Sequence, residues 1–204
     1  MNIVNFIFKS LIWSFRKVGY YYNNFLFKIK LKGNMIEYGK NVICKNSCPD
    51  IWRKYSKTSY VKLGNNVTFN SYGDHSWFCK CKLLIQKDGN LIIGDNSGLN
   101  GVMIYCSNSI EIGKYVNIGG SCRISDSNHH PLNYISRREN RYDEIKSSPI
   151  KIEDDVFIGA NCIIGKGVTI GARSIISAGS VVIKDIPSDV IAGGNPCKVI
   201  KSLK

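Results

Sequence analysis

Aliphatic residues recur every six positions at Ile152, Ile158, Ile164, Ile170, Ile176 and Val182. Four residues after the first five of these lie Val156, Cys162, Val168, Ser174 and Ser180, and Gly159, Gly165 and Gly171 directly follow three of the leaders. A second run, Ile112, Ile118 and Ile124, repeats the phrase with Val116 and Cys122 in the fourth-residue slot. Neither a helix, near 3.6 residues per turn, nor a strand, with period two, produces this beat. A solenoid with six-residue sides does, because every turn returns an aliphatic side chain to the same interior column. Each phrase therefore predicts a short strand and a turn, with the leading Ile or Val inside. Small residues are expected where the chain bends, and glycine is expected to supply turn conformations costly to other residues. No coil buries its apolar face alone, so stability must come from stacking. The pattern predicts a mainly β chain folded as a parallel β-helix.

The breaks in the beat divide the chain. Ile124 and Ile152 stand 28 residues apart, which is not a multiple of six, and the polar stretch 125–151 between them predicts a long loop extruded from the wall. Loops of that length in compact domains are functional or disordered. Ile93 to Ile112 is 19 residues, one more than three phrases, which places a one-residue slip near Cys106 to Ser109. These spacings give a solenoid over 93–197, irregular opening coils over 35–92 and a short basic tail over 198–204. Residues 1–34 differ again, with six basic residues and no acid. Val4, Ile7, Phe8, Leu11, Phe15 and Val18 share one helical face there, opposite Asn5, Lys9 and Arg16. Charges interrupt every apolar stretch before the ~20 residues that a bilayer span needs. This segment is expected either to pack on the solenoid or a second subunit, or to lie as a peripheral helix on a membrane surface.

Charge sharpens the choice of partner. Lysine and arginine outnumber acids 28 to 15 in 204 residues, a formal charge of +13 that favours anionic partners. No nucleic-acid-binding signature accompanies it, so no nucleic acid is expected. The eight cysteines form no disulfide framework: Cys122 and Cys162 occupy repeat slots as small buried residues. Cys44/Cys48 and Cys79/Cys81, with His75 nearby, lack metal-ligand spacing, so reduced cytosolic thiols and no metal are expected.

Three histidines are present: His75, His129 and His130. The last two lie in the long loop, shortly after the repeat column is left at Ile124. A solvated pair is the common fate of two adjacent loop histidines. Catalytic groups, however, concentrate on loops carried by rigid scaffolds, and a neutral imidazole accepts a proton from a hydroxyl at neutral pH.

The stretch Ile152 to Ile200, ending in Val-Ile-Ala-Gly-Gly-Asn-Pro-Cys-Lys-Val-Ile, resembles the C-terminal half of the hexapeptide-repeat acetyltransferases. It is similar to the galactoside and maltose O-acetyltransferase group and to sugar O-acetyltransferases of bacterial surface polysaccharides, from about Ile93 onward. The resemblance implies a left-handed parallel β-helix, a cytoplasmic homotrimer, and acetyl-CoA in the cleft between neighbouring prisms. A loop histidine is the general base, deprotonating an acceptor hydroxyl that attacks the thioester. Ungapped register from Ile124 puts it at His129, while a His-Pro pairing would select His130 before Pro131. Asp126 or a loop carbonyl is the expected orienting group. Position by position, Ala160, Ala178 and Gly179 match the surface crossed by pantetheine, and Lys184, Lys198 and Lys201 are placed for the nucleotide phosphates. An amide near Ala160 is placed for the oxyanion. The relatives' sugar-holding Asn and Asp align with Leu99 and Ser107, so their substrate is not carried over. Asn100, Tyr105 and Trp77 are the sugar-contact candidates.

Competing readings use fewer of these residues. Transfer to a free small molecule or to an amino sugar, as N-acetylation, needs the same base. A zinc carbonic anhydrase on the same solenoid needs three imidazoles on one metal, where this loop offers one adjacent pair. A non-catalytic β-helix scaffold leaves the loop histidines unexplained.

Overall fold

The six-residue beat closes into a three-sided prism in the computed structural model, which describes residues 3–71 and 79–204, with side chains of the first helix from Ser14 onward. His75 and Trp77 lie outside the described residues. The first face stacks strands Glu37–Tyr38, Val61–Leu63, Asn90–Ile93, Ser109–Ile112, Ile150–Ile152 and Thr169–Ile170. The third face stacks Asp50–Arg53, Lys82–Ile85, Met103–Cys106, Arg123–Ser125, Ile163–Ile164 and Val181–Val182. Between them the second face runs from Ile43–Asn46 to Val190–Gly193 and ends on the antiparallel strand Lys198–Ser202, so the basic tail is the last strand of that face. All other pairings on these faces are parallel.

Register follows the repeat. Ile152 pairs with Ile170, Ile158 with Ile176 and Ile164 with Val182. Each of these leaders is fully buried, so each face contributes a continuous aliphatic column to the interior. Full burial of such a side chain stabilises by about 1.5–3 kcal/mol. The fourth-residue slots are buried as well. Where they hold serine, the hydroxyl is satisfied: Ser174 Oγ donates to Pro187 O at 2.7 Å and Ser180 Oγ to Ser177 O.

Glycine supplies turn conformations as expected at Gly167 and Gly179, with φ of 74° and 73°, but not at the positions just after the leaders. Left-handed backbone at one corner falls instead on Asn66, Asn96, Tyr115, Asp155 and Arg173, with φ between 57° and 61°. Of the glycines just after the leaders, Gly159 and Gly171 are required by close stacking. A Cβ on Gly159 would lie 2.5 Å from Ala178 N, and one on Gly171 would lie 2.4 Å from Ser188 N.

The prism also begins earlier than the periodicity indicates. Residues expected as irregular opening coils already pair in register, Cys44 with Phe69 and Phe69 with Leu99, and their inward side chains are buried. These coils are longer, with extra residues at their corners, which hides the beat. The first helix, α1 (Ile3–Gly33), closes this end. Phe27 and Leu31 are buried against the first coils, and the Phe27 ring meets Phe69 edge-on at 5.4 Å. Asn24 satisfies the open edge strand, donating to Cys44 O at 2.8 Å and accepting from Cys44 N at 2.9 Å. Phe15, from the face expected to pack, is 74% exposed, and Val4, Ile7, Phe8 and Leu11 lie outside the described side chains. No helix among the described residues is long and apolar enough to cross a membrane.

Candidate active site

The chemistry-bearing loop leaves the third face at Ser125 and returns at Ile150. Its two stems are zipped together. Ser127 and Ser147 form an antiparallel bridge, Asn128 N donates to Lys146 O at 3.1 Å, and Ser148 N donates to Asp126 O at 2.9 Å. Within it a short helix, α2 (Tyr134–Arg138), is capped by Asn133, whose side chain accepts from Ile135 N at 2.8 Å. Arg137 anchors the approach to α2 by donating to Pro131 O and Leu132 O at 3.0 and 2.7 Å. These bonds make the loop a braced platform.

His129 sits at the base of that platform in the left-handed region, φ 62°, a conformation costing a non-glycine residue about 1 kcal/mol. Its amide donates to Ser127 Oγ at 3.1 Å, which helps to hold the turn. The turn aims the imidazole back at the wall, where Nε2 lies 2.9 Å from Ser125 Oγ and the ring packs against Tyr105 at 4.3 Å between centroids, tilted by 59°. Tyr105 and Ser125 are direct register partners on adjacent coils, so the prism itself fixes both contacts. Burial, reinforced by the nearby Asp126 charge, pushes the Tyr105 phenol above its ordinary value. His130 is exposed like its neighbour but, unlike it, does not line the cleft.

The structure corrects the role expected of Asp126. Its fully buried carboxylate accepts from Ser107 N at 2.8 and 3.1 Å, from Ser107 Oγ at 3.0 Å and from Asn108 N at 2.7 Å. It therefore holds the Ser107–Asn108 turn, where the one-residue slip falls between strands Met103–Cys106 and Ser109–Ile112. Orientation of the imidazole falls to Ser125 and Tyr105. Ser125 was missed by sequence reasoning, although it points outward directly after the leader Ile124. Its pairing with Tyr105 becomes visible only once the coils are stacked.

An apolar cleft of about 720 Å³ opens along the third face beside His129. Leu84, Met103, Ile163 and Ile183 line it, with Lys82, Arg123 and Lys166 among its basic residues. The other candidates distribute over two edges of this face. Ala160, Ala178 and Gly179 stack at the corner where the second face turns into the third, with Gly179 N donating to Ala160 O at 2.8 Å. Lys198 joins that corner through its pairing with Gly193. Lys184 lies on the opposite edge, in the same repeat position as Asp126 and Lys166. Lys201 pairs with Ile191 on the second face. Asn100 is also on the second face, away from His129. Its amide closes an asparagine ladder, accepting from Asn70 Nδ2 at 3.0 Å and donating to Ile118 O at 3.0 Å.

All eight cysteines are free, Cys79 alone being exposed, and no group of three or more metal-ligating side chains occurs among the described residues.

Comparison with known proteins agrees with this architecture. The family described as the hexapeptide repeat of succinyl-transferase matches residues 149–184. The chain is 35% identical over 136 residues to the galactoside O-acetyltransferase of Escherichia coli strain K12, covering 66% of this chain and 64% of that relative. It thus spans just under two thirds of that relative's length. A hexapeptide-repeat acetyltransferase of Vibrio cholerae, solved with acetyl coenzyme A, is 30% identical with a TM-score of 0.51, covering 81% of this chain and 72% of that one. A maltose O-acetyltransferase of Clostridium difficile 630 is 29% identical with a TM-score of 0.53, covering 85% and 73%. The chain belongs to the hexapeptide-repeat acetyltransferases, and its prism is the left-handed parallel β-helix of that family.

Proposed function

We propose that the protein transfers the acetyl group of acetyl-CoA to a sugar hydroxyl, with His129 as general base, in the cytoplasm. The observation that carries this reading is the His129 imidazole, fixed by Ser125 and Tyr105 at an apolar cleft with basic residues. Such a cleft suits an extended thiol arm that ends in phosphates, and related enzymes carry names of galactoside and maltose O-acetyltransferases. The acceptor is a sugar of a surface polysaccharide or its precursor.

Acetyl-CoA supplies an activated thioester. The neutral His129 ring has one nitrogen lone pair and takes the acceptor hydroxyl proton there as the oxygen attacks the acyl carbon. As the new C–O bond forms and the C–S bond breaks, the imidazolium returns that proton to the departing thiol. The Ser125 and Tyr105 contacts limit rotation of the ring, so the lone pair is presented in one orientation. General-base assistance of this kind contributes typically ~100- to 10,000-fold.

The donor-side residues stand on two edges of one face, with Ala160, Ala178, Gly179 and Lys198 at one edge and His129 and Lys184 at the other. A homotrimer that sets one copy's corner against the next copy's loop unites them, which is why we assign the site to the junction between copies. The exposed side of α1 fits an anionic bilayer surface. Phe15, Val18, Tyr22, Phe25 and Ile29 project there beside basic Arg16, Lys28 and Lys32. Wild-type protein should float with anionic vesicles and release as salt rises, and deletion of residues 1–23, which removes Phe15, Arg16, Val18 and Tyr22, should weaken flotation. Vesicle binding undiminished in the truncated chain would contradict this role for α1.

The function is tested by incubating the protein with acetyl-CoA and a panel of sugars, amino sugars and lipid-linked glycans, read as free thiol released. Sugar-dependent release supports the reading; release absent across the panel, from protein that binds no CoA, overturns it.

A further inference from the structure

A second cleft, of about 420 Å³, meets the first at Tyr105 and Ser127, so the two lie on either side of the residues that hold His129. Its lining is of a different kind. Lys54, Gln86, Lys87, Asp88, Ser107 and Ser147 surround it, where the first cleft is mainly aliphatic. Two lysines against one aspartate leave it net positive. Elsewhere Lys30, Lys62, Lys80, Lys151 and Lys204 are paired with carboxylates, yet no described ion pair involves Lys54 or Lys87.

The construction of this cleft ties it to the site. Ser107 belongs to the turn that Asp126 holds, Ser147 to the stem bridged to Ser127, and Lys54 to the coil whose amide donates to Ile85 O at 2.9 Å. Three separate segments are thus braced around one polar hollow, and the imidazole-stacked Tyr105 forms its partition. An aliphatic hollow and a hydroxyl- and amide-lined hollow that share a wall at the base are suited to two different reactants.

We infer that the polar cleft is the acceptor subsite and that it selects an acidic sugar, a hexuronate or another carboxylated glycan unit, whose carboxylate meets Lys54 and Lys87. Gln86, Ser127 and Ser147 supply partners for its hydroxyls. Tyr105 separates this sugar from the acyl chain while leaving the hydroxyl to be modified beside His129. The inference rests on the sugar O-acetylation reading above and narrows its substrate class. Hydrogen bonds to a charged group are worth more than neutral ones, so a hexuronate should bind at least about tenfold more tightly than the parent neutral hexose.

The experiment measures glucuronate and glucose binding to the full-length protein by calorimetry, with acetyl-CoA turnover followed in parallel on the same two sugars. Glucuronate is expected to bind the wild type at least tenfold more tightly, and the Lys54→Gln/Lys87→Gln double variant, folded by circular dichroism, is expected to lose that preference. Equal affinities in the wild type, or a preference that survives the double substitution, would overturn the subsite. The two readings fail separately. Turnover that favours glucose removes the acidic-sugar subsite and leaves the acetyltransferase. Selective glucuronate binding without thiol release, with glucuronate or with any sugar of the wider panel, removes the acetyltransferase reading and leaves an acidic-sugar site.

Discussion

Two stretches of the same wall obey different rules. Between Ile150 and Val182, apart from its turns, the chain is pure repeat: partners on adjacent coils are 18 residues apart, Ile152 with Ile170 and Ile164 with Val182, and the leaders are fully buried. One coil earlier, around residues 103–129, partners are farther apart, 19 residues for Leu91 and Ile110 and 20 for Tyr105 and Ser125. The surplus collects in the Ser107–Asn108 turn, which Asp126 holds with four hydrogen bonds. Regular coils gain rigidity by stacking identical apolar columns but offer few ways to aim a polar group. The irregular coil needs a buried carboxylate to hold its turn, and it is there that Tyr105, Ser125 and His129 converge.

Substitutions that exchange the two modes should break each stretch in its own way. The largest effect is expected of Ile164→Asp in the regular stretch. An unpaired carboxylate in a dry aliphatic column is severely costly, so the variant should fail to yield soluble protein with a cooperative melt. A soluble variant with a normal melting temperature would show that the column is not interior. Asp126→Ala should act less globally. It leaves half-buried donors on Ser107 and Asn108 without their acceptor, costing on the order of 1–3 kcal/mol in chemical denaturation. Unchanged stability would mean that the turn holds itself. The smallest effect concerns α1, tied to the prism where Asp50 meets Lys80 at 2.7 Å and Lys30 at 3.5 Å. Burial raises the Asp50 carboxyl, but the Lys80 hydrogen bond and the two ammonium charges outweigh it and hold the group below its ordinary value. A depressed acid stabilises the fold above its unfolded pKa, near 4, and that contribution fades as pH falls through the folded value. Acidification below about 4 should therefore loosen α1 before the prism, seen as loss of helical circular dichroism with the β signal retained. Simultaneous loss of both signals would show that the helix is not a separate unit.

The same contrast explains what could be read from the sequence. The prism over residues 112–182 was legible because interior columns demand one aliphatic every six residues. Its first half was not: Cys44 pairs with Phe69 and Phe69 with Leu99 across 25 and 30 residues, so corner insertions erase the period while leaving the stacking intact. His129 was legible as a departure from the beat, since it lies five positions past Ile124 in the stretch where the repeat column is left. Asp126 was visible but not its task, because its partners Ser107 and Asn108 lie a whole coil upstream. Gly159 and Gly171 after the leaders were noticed for turn geometry, whereas the neighbouring coil's backbone is what requires them, as at Gly159 beneath Ala178. Asn100 was a sugar-contact candidate, and its place in the asparagine ladder of the second face becomes visible only once the coils are stacked.

The central claim is that the irregular coil exists to hold one imidazole. Its most direct test is acetyl-CoA turnover by His129→Ala and His130→Ala on the same acceptor, each variant checked for an unchanged melting temperature. Adjacent in sequence and both exposed, the two residues differ in that the first is held by Ser125 and Tyr105 and lines the cleft, which the second does not. His129→Ala is expected to lose about 100- to 10,000-fold in kcat/KM, and His130→Ala to stay near wild type. A His129→Ala protein that keeps most of its turnover, or a larger loss at His130, would contradict the account.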